Sequence, residues 1–82
     1  MSLPRTVSGE RLASLLRRRY GYEVVRQRGS HMRLVAQTDG GEHRVTVPRH
    51  RELRIGTLNA ILWEVASSRG VHRDDVVADL FG

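Results

Sequence analysis

The chain is predicted to fold as an α+β domain of order α-β-β-β-α, with a short extra helix at its C-terminus. Two apolar stripes at helical spacing bracket the middle of the sequence. Between them lie three short segments rich in β-formers, separated by glycine turns. The length of 82 residues fits a single domain with one small core.

Residues 1–7 are expected to form a flexible N-terminus. Ser8 is the candidate N-cap of the first helix, and Glu10 suits its first turn. Leu12, Leu15 and Leu16 recur at helical spacing. Arg17, Arg18 and Arg19 crowd the last turn, where cations complement the helix dipole, and Gly21 supplies the stop.

Residues 22–28 read as the first strand. Val24 and Val25 are adjacent, so the alternation does not say which of them faces inward. Gly29-Ser30 makes a turn. From His31 the pattern alternates. Met32, Leu34 and Ala36 share one face, and His31, Arg33, Val35 and Gln37 share the other. Asp39-Gly40-Gly41 signals a hairpin. Residues 43–47 give a third strand, with Val45 and Val47 opposite Arg44 and Thr46, and Pro48 ends it.

Residues 49–54 form a polar connector carrying Arg49, Arg51 and Arg54. A second helix is expected from about Thr57, striped by Leu58, Ile61, Leu62 and Val65 and ended by Gly70. Asp74 and Asp75 open the short final helix, within 72–82, whose Val76, Val77, Leu80 and Phe81 close the core. Tyr20, Tyr22, Trp63 and Phe81 are assigned to core packing. The architecture is one three-stranded antiparallel sheet with helices on one face and the other face open. If Met32, Leu34 and Ala36 meet the helices, period two puts His31 and Arg33 on the open face, with Arg44 beside them.

Charge points to the class of partner. The net charge is +5, and all 14 basic residues are arginine. Arginine forks bind phosphate bidentately and stack on bases, so nucleic acid is favoured. GC-rich coding and ordinary solubility are the alternative. No cysteine is present, which excludes disulfides and thiolate zinc sites. His31, His43, His50 and His72 lack the paired spacing of zinc ligands, so neither a metal nor another cofactor is expected. No apolar run is long enough to cross a bilayer, and the first residues lack the pattern of a signal peptide. The expected location is the cytoplasm, away from membranes.

His31 is the candidate catalytic group. Imidazole takes and gives protons near neutral pH, and here it follows a glycine turn and is flanked by arginines. Gly-Ser-His-Met also occurs as the scar of a cleaved affinity tag. Such scars lie at an N-terminus, whereas strand-like sequence flanks this one on both sides. Arg28, Arg33 and Arg44 are candidate phosphate clamps, with an ordinary solvated face as the alternative. Gly29 serves the backbone, and Ser30 offers a hydroxyl to either a phosphate or the turn. His50 is the candidate for a second proton transfer, and a loop-stabilising role is its alternative.

Gly29-Ser30-His31, the block Thr46-Val47-Pro48-Arg49-His50, and Gly56-Thr57-Leu58 with Ile61-Leu62 together resemble the HicA/YcfA-like toxins of toxin–antitoxin systems. Order and spacing agree over most of residues 8–69. The resemblance implies a double-stranded-RNA-binding-domain-like fold. It implies mRNA cleavage without a ribosome, with the family's histidine at His31, and a HicB-like antitoxin as protein partner. The arginine-rich connector and the length beyond Gly70 depart from the more compact members. Two other readings remain: an RNA-binding module without catalysis, and a basic protein-interaction domain.

Overall fold

Alternating apolar and polar residues build the sheet, and leucine stripes cover one side of it. The computed structural model describes residues 3–82. Its elements are α1 (Gly9–Tyr20), β1 (Glu23–Arg28), β2 (His31–Thr38), β3 (Gly41–Pro48), α2 (Ile55–Arg69) and α3 (Arg73–Phe81). The strands form one antiparallel sheet in the order β1-β2-β3. The α-β-β-β-α order with an added C-terminal helix is thus the observed architecture. β3 starts two residues earlier than predicted and runs through Pro48, and α2 starts at Ile55 rather than Thr57.

Met32, Leu34 and Ala36 of β2 and Val45 and Val47 of β3 are buried. Leu12, Leu15 and Leu16 of α1 meet them, with Leu58, Ile61, Leu62 and Val65 of α2 and Val76, Val77 and Leu80 of α3. α1 and α2 pack on β3, and α3 packs on α1 and α2. No residue of β1 is buried, so this strand forms an uncovered edge of the sheet.

Ser8 caps α1 by accepting from the Arg11 N–H at 3.0 Å, as the sequence predicts. Val7, at the end of the segment expected to be flexible, is buried, and its carbonyl accepts from the Leu53 N–H at 2.8 Å. Met1 and Ser2 of that segment lie outside the described residues. At the start of α3 the Asp75 carboxylate accepts from the His72 N–H at 3.2 Å, and the Asp75 N–H donates to the His72 carbonyl.

The aromatic residues divide. Tyr22 is fully buried, and its hydroxyl shares a 2.8 Å hydrogen bond with His43 Nδ1. Burial pushes its phenol pKa up. Tyr20 is partly buried and donates to Asp79 at 2.6 Å, while the Arg69 guanidinium lies 4.3 Å from its ring centre. Burial first, and then that carboxylate, raise its pKa. These contacts tie the end of α1 to α2 and α3. Phe81 packs against the core in part. Trp63 does not belong to the core as expected: it is 60% exposed. The stripe of α2 that the sheet can cover is filled by Leu58, Ile61, Leu62 and Val65, and Trp63 falls outside it.

Candidate RNA-binding face around His31

The site forms where β1 turns into β2. Gly29 takes φ 58°, a left-handed value that an L-residue adopts only at a cost. The turn delivers His31 as the first residue of β2, exposed on the side of the sheet away from the helices. Register then builds the surroundings. Arg28 lies opposite His31, Arg26 opposite Arg33, and Arg33 also opposite Thr46 of β3.

Arg26, Arg28, His31, Arg33 and Thr46 line one open concavity of about 260 Å³. Three arginines and one histidine therefore share one depression. Among the described residues none of the three forms an ion pair with a carboxylate. Like charges held together without counter-ions focus a positive potential that attracts polyanions. The concavity can bind phosphate through its guanidiniums and move a proton through His31.

The remaining predicted residues are placed differently. Arg44 is on the same face, opposite Val35, and does not line the concavity. Its Nε instead donates to Glu42 at 2.7 Å. Ser30 lies in the turn, and its carbonyl accepts from the Arg49 N–H. His50 lines a second concavity, with Ser8, Glu10, Arg49 and Arg51, where Arg49 is paired with Glu10. His31 and His50 thus line separate depressions, although His31 pairs with Pro48 and the Ser30 carbonyl accepts from the Arg49 N–H.

Two lining residues were missed by the sequence reasoning, Arg26 and Thr46. A signal existed for each. Arg26 is two residues from Arg28 and so shares its face, and Thr46 shares the parity of Arg44. The unassigned parity of the first strand hid the former.

Residues 9–67 match the family model described as HicA toxin of bacterial toxin-antitoxin. No curated protein and no solved structure matches the chain. The match spans well over half of the sequence and contains the whole sheet, the turn that presents His31 and most of α2. Its membership implies a cognate antitoxin. On this match, the chain belongs to the HicA toxin family of bacterial toxin–antitoxin systems.

Proposed function

We propose that this toxin is a metal-independent endoribonuclease that cuts mRNA, with His31 as its general acid/base. The carrying observation is that His31 shares a concavity with Arg26, Arg28 and Arg33, none of them paired to a carboxylate. Family membership supports the toxin role. Arg28, opposite His31, holds the scissile phosphate and offsets the charge that develops on its oxygens. Neutral His31 takes the proton from a ribose 2′-OH. The 2′-oxygen bonds to phosphorus, the bond to the 5′-oxygen breaks, and that oxygen gains a proton. His50 lines a different concavity, so water at the open mouth is the proton source proposed for this last transfer.

Incubating purified toxin with a long RNA in excess EDTA tests the reading. Cleavage is expected to persist, because the proposed proton transfers use His31 and water alone. Activity lost on chelation and restored by one divalent cation would overturn the metal-independent mechanism. RNA bound in a salt-sensitive way but never cut would leave an RNA-binding module.

Phosphate contacts should dominate affinity. Binding of RNA to the His31→Ala protein is expected to weaken steeply with salt, because each neutralised phosphate releases counterions. Adding Arg33→Ala should flatten the slope by about one contact. An unchanged slope and affinity would return Arg33 to an ordinary solvated face.

A cytoplasmic enzyme that cuts mRNA needs a tight inhibitor in its own cell. We infer that the cognate antitoxin is an acidic HicB-like protein lying over the His31 face. Complementary charge speeds its association, and covering His31 keeps substrate away. The interface should bury roughly 1,200–2,000 Å² in total. Hydrogen exchange on the free toxin and on the complex is expected to show protection of residues 29–33. Protection confined to the helices would mean inhibition by another route.

A further inference from the structure

The edge strand carries a guanidinium whose placement depends on one irregular residue. Val24 lies opposite Leu34, a buried residue of the helix side, whereas Arg28 lies opposite exposed His31. In an unbroken strand residues 24 and 28 would share a face. They do not, because the register shifts between Val24 and Arg26. Val25 is the extra residue of this bulge. It has no partner in β2 and is 59% exposed. Beyond it Arg26 and Arg28 both turn to the His31 side.

The result is electrostatically unfavourable for the fold. Arg26 and Arg33 are directly opposite in an antiparallel pair, an arrangement that destabilises a sheet. Neither has a carboxylate partner among the described residues. Both line the His31 concavity. A bulge re-aims side chains, and bulges are enriched beside functional sites. A like-charged pair without a counter-ion is completed by an anion placed between the two forks.

We infer that Arg26 is a phosphate-binding residue of this toxin, paired with Arg33 across the β1–β2 ladder to grip an RNA backbone phosphate beside the one that is cut. The assignment rests on the reading of the His31 concavity as an RNA-cleaving site. It makes the bulge at Val25 a functional device: the extra residue allows one strand to present Val24 to the helix side and Arg26 to the substrate.

The test compares wild type with Arg26→Ala, Arg26→Lys and the exchange Val25→Arg/Arg26→Val, which keeps composition and net charge. Cleavage of a defined RNA oligonucleotide and RNA affinity by fluorescence anisotropy are measured, with thermal unfolding of each variant. Arg26→Ala should lower kcat/KM by about 10-fold, mostly through KM, as loss of binding shared by substrate and transition state predicts. Lysine should recover only part, since it lacks the planar fork. The exchange should be as impaired as alanine. Thermal stability of Arg26→Ala should equal or exceed that of wild type, because a repulsion is removed, which a merely structural role would not give. Wild-type KM in Arg26→Ala, or wild-type activity in the exchange variant, would overturn the inference. If wild type cleaves no RNA, the proposed reaction fails and the anisotropy arm decides Arg26 separately. Weaker RNA binding by both Arg26→Ala and the exchange sustains the inference, and unchanged binding by either overturns it.

Discussion

His31→Ala is expected to reduce cleavage of a long RNA by roughly 10²–10⁴-fold, the loss typical of a positioned acid/base group. The fold should survive. His31 is exposed at the start of β2, on the face away from the helices, so removing its ring opens no core cavity. The strand's ladder is made by the backbone, and alanine keeps it. Arg26, Arg28 and Arg33 remain in place, so RNA should still bind. Circular dichroism, RNA affinity and cleavage are to be measured on the same preparation. A folded His31→Ala protein with wild-type activity would remove His31 from the mechanism. His50→Ala is the informative companion. A loss as large as that of His31→Ala would bring His50 into the second proton transfer, despite its separate concavity.

Gly9→Ala is expected to destabilise the domain by about 3 kcal/mol or more, the upper end of what overpacking costs. Gly9 is buried in the first turn of α1, where a Cβ would overlap the carbonyl of Pro48. Its N–H donates to the His50 carbonyl at 2.9 Å. The obstacle is backbone, so no rotamer change relieves it. α1 must move off the end of β3, or the connector must move with its link to Ser30. For a domain whose total stability is of order 5–15 kcal/mol, this is a large fraction. Urea unfolding checks it. A midpoint equal to that of wild type would show that the two segments separate at no cost. Because the connector also holds the turn that presents His31, the variant should lose activity at temperatures where it is still mostly folded.

How far each residue could be read depended on how firmly burial fixed its position. β2 alternates without interruption, so its inner face and the exposure of His31 and Arg33 followed from period two. β1 is an edge strand with no buried residue, and two adjacent valines gave no parity. Without burial on one face, register is weakly specified by sequence, and the bulge that turns Arg26 toward His31 was not legible. Arg44 had the right face, but its carboxylate partner Glu42 is a matter of side-chain geometry.

The sequence alone determined the order of the elements, the glycine stops, the cap at Ser8 and the open basic face, because each rests on local chemistry or on a short period. It also carried the three blocks that resemble the HicA toxins, a resemblance that the family match over residues 9–67 supports. The tertiary structure decided what depends on contacts between distant segments. It placed Arg26 and Thr46 beside His31, put His50 in a different concavity, left Trp63 exposed and brought Gly9 against Pro48. Such contacts arise when the core closes and fixes strand register and helix placement together, and no window of neighbouring residues contains that information.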